Sequence, residues 1–323
     1  MKKKKRYEKK IIVAPTAVSW ADRIRRLSIR LARENRSGAH YLSANCDAVY
    51  RTVDGRGPDA SEAHPSAGAR ITFNMSSVHV PGFCEATKDR RANAYKNCYD
   101  LAAESVTSGN DKHVSARRKL VDESLPLPKG ASVAETYFGA VDVNGSGVRF
   151  YGDVCLVLQR DYAGTCVVLD RNSYELVRSP VKEQVARTGK LKQDAARHAI
   201  ARSWSGSWED DLRHIVAAKA LTTLPLVARR WSTGHISQAV CSDEDYIEVL
   251  KGGSFNAHDL QEARLSAHDI SEDALTAARL ASRRPVPRLE SMLWSRRRAV
   301  AEIALRSLGV PVRIVGHHGR IKT

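Results

Sequence analysis

Apolar residues of this chain fall into two patterns. Between 137 and 177 three short runs rich in Val, Tyr, Phe, Cys and Leu are separated by Asn-Gly-Ser-Gly and Asp-Tyr-Ala-Gly. Runs of that kind, broken by such turn formers, predict a meander of antiparallel strands. Val154, Cys155, Leu156, Val157 and Leu158 are contiguous, so the middle run reads as an inner strand buried on both faces. Upstream, Arg70 to Met75 alternates like a strand, and Ala48 to Val53 reads as another. Ser19 is placed to cap a helix from Trp20 to about Asn35, with Trp20, Ile24, Leu27 and Leu31 on one face. Another helix is expected within 88–104. Beyond Pro180 the segments 181–204 and 208–231 predict long helices, with Ser207 and Asp210 forming a cap for the second and Pro225 kinking or shortening it. The stretches 242–253, 259–265 and 271–282 read as further helical pieces. Leu289 to Leu308 reads as a last helix, and 310–315 with 320–321 as a closing strand or hairpin.

These elements define an α+β fold: an antiparallel β-meander body, a helix-rich second half, and a basic N-terminal arm plus helix in front. The expected segments are 1–36 (arm and helix), 37–180 (β-rich body), 181–285 (helical region) and 286–323 (basic helix and strand). No apolar run is long enough to span a bilayer, and the basic start is followed by too few apolar residues for a signal peptide, so a cytoplasmic protein is expected. Composition is that of a globular chain, 42% apolar and 27% charged. Six cysteines are scattered without metal-ligand spacing, and neither a zinc site nor a disulfide framework is expected.

The net charge of +16 is concentrated at the ends. Residues 1–36 hold 13 Lys/Arg against 3 acids, and residues 279–323 hold 11 against 2, which leaves 37–278 at a net of −3. A near-neutral body with two basic ends is the footprint of a polyanionic partner, DNA or RNA first among them. The arginines offered to phosphates are Arg23, Arg26, Arg30 and Arg33 on the first helix and Arg296, Arg297 and Arg298 on the last. A structural or assembly protein that meets a polyanion or an acidic partner would use the same charge.

The motifs of P-loop ATPases, Rossmann dehydrogenases, α/β-hydrolases and HExxH proteases are absent. An order of elements remains. Val49-Tyr50-Arg51 precedes a Gly/Pro loop, Thr72 to Ser77 is a Ser/Thr-containing strand, Phe150 to Leu158 and Thr165 to Ser173 form a later pair, and Glu290 or Glu262 follows. That order resembles ADP-ribosyltransferases, enzymes that use NAD. The resemblance implies a catalytic set of Arg51, Ser76 and Glu290, with Arg51 and Ser77 holding the cofactor. A guanidinium would grip the diphosphate, and a carboxylate would stabilise the cationic sugar.

Other residues offer less. Asp153, Asp170 and Glu175 could hold magnesium in a nuclease, but the Glu-x-Lys of such sites is missing, and Asp170 to Ser173 reads as a turn with Asp and Asn accepting backbone N–H bonds. His79, His198 and His214 are general-base candidates by type. Trp204, Trp208, Trp231 and Trp294 lie among arginines, where they would pack helices or stack on unpaired bases.

Overall fold

One mixed sheet gathers strands from the whole length of the chain. The computed structural model describes residues 19–56, 67–85, 94–107, 114–188, 193–226, 230–242, 245–282 and 286–316. Its strands are β1 (Ala69–Met75), β2 (Thr136–Val143), β3 (Val154–Leu158), β4 (Cys166–Leu169), β5 (Ser205–Ser207), β6 (Glu248–Gly252), β7 (Leu260–Ser266) and β8 (Val312–Val315). They lie in the order β5-β4-β6-β2-β1-β3-β7-β8, antiparallel except for the parallel pair β7–β8. Among the described residues the helices are α1 (Trp20–Glu34), α2 (Leu42–Val53), α3 (Val80–Cys84), α4 (Cys98–Thr107), α5 (Ala116–Asp122), α6 (Ser173–Leu176), α7 (Arg178–Thr188), α8 (Gln193–Arg202), α9 (Trp208–Thr223), α10 (Thr233–Val240), α11 (Ala267–Ser282) and α12 (Leu289–Ser307). The class is α+β.

The strand pairing differs from a meander. None of the three runs at 137–177 pairs with another: β1 inserts between β2 and β3, and β6 between β2 and β4. The glycine-rich segment after β2 is therefore not a hairpin. The connection 144–153 crosses the end of β1, and Asn74 pins it there. Its Nδ2 donates to the carbonyls of Ser146 and Gly152, each at 3.0 Å, and its Oδ1 accepts from the N–H of Val148 at 2.8 Å. Gly147, at φ 68°, passes so close that a Cβ would lie 2.1 Å from Asn74 Oδ1. Asp142 closes the turn by accepting from Gly145 and Gly147, both at 2.6 Å.

Four further expectations change. Ala48 to Val53 belongs to α2, whose buried Leu42, Asn45, Val49, Thr52 and Val53 recur at helical spacing and pack toward α9 and α10. The helix expected at 242–253 is β6, and that at 259–265 is β7, so the 181–285 stretch supplies three strands as well as helices. The helix expected within 88–104 begins at Cys98. By contrast α1, β1, β3 and α12 lie where the pattern puts them, and β3 is buried along its whole length between β1 and β7. Ser19 and Ser207 cap α1 and α9, accepting from Asp22 and Asp210, and α9 stops at Thr223, before Pro225. The arm at 1–10 and the residues 320–321 lie outside the described residues.

Alternation along the strands gives the sheet two different faces. One carries Ile71, Phe73, Val141, Leu156, Val249 and Leu265 into the main core, where α2, α9 and α10 add their apolar residues. The other is apolar only toward β4 and β6, where Leu169 and Leu250 meet Val121 of α5 and Ala196 and Ile200 of α8. Across β1, β2, β3 and β7 that second face presents buried Arg70, Thr72, Asn74, Asp142, Cys155, Glu262 and Arg264. An interior so polar has to be satisfied internally, and function is built on or beside such faces.

Candidate active site

Beside that polar face, where β1, β2 and β6 run together, lies a cavity of about 240 Å³. Glu248, the first residue of β6, is 2% exposed and reaches its wall. The register puts Glu248 opposite Ala140 of β2 and Leu169 of β4, which aims it at the second face. The N–H of Ser173, which begins α6 just after β4, donates to Glu248 Oε2 at 2.9 Å. Burial pushes the Glu248 carboxyl above its ordinary value; the Ser173 hydrogen bonds and the Arg118 charge oppose that shift without cancelling it.

Arg118 comes from α5 and lies over the Phe138 ring at 4.1 Å. Its Nε donates to Asp122 Oδ2 at 2.8 Å, one turn along the same helix, and Tyr99 donates to that oxygen at 2.9 Å. The terminal nitrogens of Arg118 carry no hydrogen bond among the described residues, and the side chain lines the cavity. Burial works against its charge, but Asp122 and Glu248 more than offset this and raise its pKa. Rings of Tyr95, Phe138, Tyr151 and Tyr246 complete the wall. Tyr246 receives a hydrogen bond from Asn172 Nδ2 at 2.8 Å and shares one with Tyr151 at 3.1 Å, so its ring is fixed while Tyr151 stays half-exposed. Burial, then the nearby Glu248, pushes the Tyr246 hydroxyl well above its usual pKa, and it stays protonated. The cavity thus combines one buried carboxylate, one guanidinium with donors to spare, and several aromatic faces.

The residues expected from sequence lie elsewhere. Arg51 is exposed in the last turn of α2, whose end borders the start of β1. Ser76 and Ser77 follow the other end of β1, about 20 Å away at roughly 3.3 Å per residue. Ser77 is buried, and its N–H donates to Asp153 at 2.7 Å. Glu290 is exposed in the first turn of α12. None of Arg51, Ser76, Ser77 and Glu290 lines the cavity. Glu262, the other late acid, accepts from Arg264 Nε at 2.5 Å and lies 3.5 Å from Arg313, as part of the sheet's internal ion network. Asp153, Asp170 and Glu175 each have separate partners: Ser77 and Arg298, the Trp204 N–H, and Arg178. Asn172 does accept the N–H of Tyr174, as a turn residue should. His79 and His198 are exposed, and His214 stacks on Trp20 with Tyr50 at 3.4 Å.

The arginines divide. Arg26, Arg30 and Arg33 project from α1 into solvent, Arg30 only 3.9 Å from the equally exposed Glu34. Arg23 lies against both the Trp20 and Trp204 rings, 4.6 and 4.5 Å from their centres, while the two rings contact each other at 5.2 Å. Arg296 is exposed, and Arg297 lies 5.0 Å over Trp294. Arg298 is withdrawn from any phosphate: it bonds Asp273 of α11 through Nε at 2.8 Å and through a second nitrogen, and lies 3.4 Å from Asp153. Trp231 is core.

A mixed-sheet α+β protein with a buried acid beside an aromatic cavity is therefore what the fold and site define. No family model matches the chain, and no curated protein matches it. No group of three or more metal-ligating side chains is assembled among the described residues, and no helix among them is long and apolar enough to cross a membrane.

Proposed function

We propose that the chain is an enzyme of the ADP-ribosyltransferase type that breaks the nicotinamide–ribose bond of NAD, with Glu248 in the carboxylate role expected of Glu290 and Arg118 in the guanidinium role expected of Arg51. The observation that supports it is Glu248 itself, a carboxylate on an inner strand, almost wholly buried, at the wall of an aromatic cavity and within the field of a guanidinium. A volume of about 240 Å³ suits one planar ring with its sugar, not a whole dinucleotide. Tyrosine and phenylalanine faces suit the ring, and Arg118 suits the first phosphate.

The chemistry asks little more. When the glycosidic bond breaks, its electron pair goes to the ring nitrogen, so the leaving nicotinamide needs no proton. Positive charge passes to ribose C1′ and its ring oxygen, where an ionised carboxylate in a water-poor cavity stabilises it most. The incoming water or acceptor group adds to C1′ and gives up a proton, which Glu248 would accept. In the test, nicotinamide release from NAD is followed chromatographically. Release by the native chain and its loss in Glu248→Gln supports the reading; no release, together with no NAD-dependent thermal shift, overturns it.

A second reading rests on a different observation, the solvent-facing Arg26, Arg30 and Arg33 of α1. These suit the phosphates of DNA or RNA, by which the enzyme would be brought to an acidic substrate or the chain would act as a nucleic-acid-binding or assembly protein. Binding to mixed-sequence nucleic acid should weaken steeply with salt, and changing the three to Gln should reduce the slope by about 3. An unchanged slope would remove α1 from the interface.

A further inference from the structure

A second cavity, of about 530 Å³, opens at the start of β1, where the ends of α2 and β3 meet the first turns of α9. Arg56, Arg70, Arg160 and Arg213 line it, and among its described residues the carboxylates are Asp54 and Glu209, which leaves an excess of two positive charges. Arg56, Arg160 and Arg213 stand exposed at the rim and make no ion pair among the described residues. Arg70 also borders it and is 2% exposed. Burial, with the charges of Arg160 and Arg264, brings its pKa down to about 10 against the opposing charge of Glu262. The wall also has an apolar part, Val53, Ile71, Leu158 and Leu212, with the half-buried Trp208 beside it.

We infer that this cavity binds a nucleoside polyphosphate, phosphates on the arginines and base against Trp208. A bare anion would use the guanidinium groups and leave the indole and the apolar wall idle. The volume lies within the range of small-molecule sites, and guanidinium forks match phosphate oxygens. An aromatic face with nearby arginine stacks a base. The site is distinct from the Glu248 cavity: the two share no lining residue, and where they adjoin on β1 the neighbours Ile71 and Thr72 face opposite sides of the sheet.

The test is titration of the full chain with adenosine triphosphate, inorganic triphosphate and adenosine, read by calorimetry and tryptophan fluorescence. Saturable binding is expected, with the nucleotide at least tenfold tighter than either fragment. The exposed pair Arg160→Glu and Arg213→Glu should weaken it at least tenfold. Trp208→Ala should weaken the nucleotide and leave inorganic triphosphate unchanged, and Glu248→Gln should change neither. Absence of saturable binding overturns the inference. So does equal affinity for inorganic triphosphate, loss of binding in Glu248→Gln, or a single-stranded oligonucleotide that displaces the nucleotide at a tenfold lower concentration.

Discussion

Arg296 and Arg298 are two residues apart on one helix, yet their replacement should have opposite consequences. Arg298 is about 10% exposed and joins α12 to Asp273 of α11 and to Asp153, the last residue of the connection that crosses β1. Replacing it with Met keeps the length of the side chain but leaves two carboxylates, 16% and 13% exposed, without their cation. Breaking a buried pair from one side costs about 3–5 kcal/mol, and the residual exposure of both acids favours the lower figure, about 3 kcal/mol. For a chain of 323 residues, with an unfolding entropy of about 2.1 cal/mol/K per residue, that corresponds to a fall in Tm of roughly 4–5 °C. Arg296→Met, at an exposed position, should stay within about 0.5 kcal/mol, a shift no larger than about 1 °C. Thermal unfolding of both variants decides the matter, with nucleic-acid binding measured on the same samples. An Arg298→Met protein that melts with the native one and loses phosphate binding would refute the assignment of Arg298 to the interior.

Other outcomes follow from the same geometry. Asn74→Ala removes three hydrogen bonds and strands the Ser146 and Gly152 carbonyls and the Val148 N–H, so a loss of about 3 kcal/mol or more is expected in denaturant unfolding. Gly147→Ala should be no better tolerated, since its Cβ would meet Asn74 at a φ that side chains avoid; a variant as stable as the native chain would count against the crossing loop. If Glu248 works ionised, its raised pKa places the acid limb of kcat/KM above the ordinary carboxylate range, and Arg118→Met should move that limb further up. The sign for stability is fixed too. A carboxyl whose folded pKa exceeds its unfolded one binds more protons in the folded state, so its stabilisation is full below the unfolded pKa and is lost as pH rises through the folded one; Glu248→Gln should flatten that part of the pH–stability curve.

Much of the fold was legible because burial wrote it into the apolar pattern. α1 shows its stripe of Trp20, Ile24 and Leu27, and β3 its unbroken apolar run. β6 and β7 are hidden in the sequence because their inner positions are charged: Glu248, Lys251, Glu262 and Arg264 are all about 2% exposed or less, and a strand that buries ion partners looks like a polar helix. The same disguise hid the site. Glu248 sits between Ile247 and Val249, ahead of a Gly-Gly stop, and a lone acid inside such a run was the signal available. The end of α2 resembles a strand because Ala48 to Val53 is short and β-branched at its end, although Leu42, Val49 and Val53 carry a helical period. Strand order was beyond reach for another reason: a glycine-rich connection reads alike whether it turns back at once or passes over a neighbouring strand, and the difference rests on Asn74, far away in sequence.

The most direct measurement is nicotinamide release from NAD by native protein and by Glu248→Gln, with circular dichroism and Tm showing both to be folded. The account predicts release by the first and none above background by the second. Equal release from the two, or none from either with no shift in Tm on adding NAD, would contradict it.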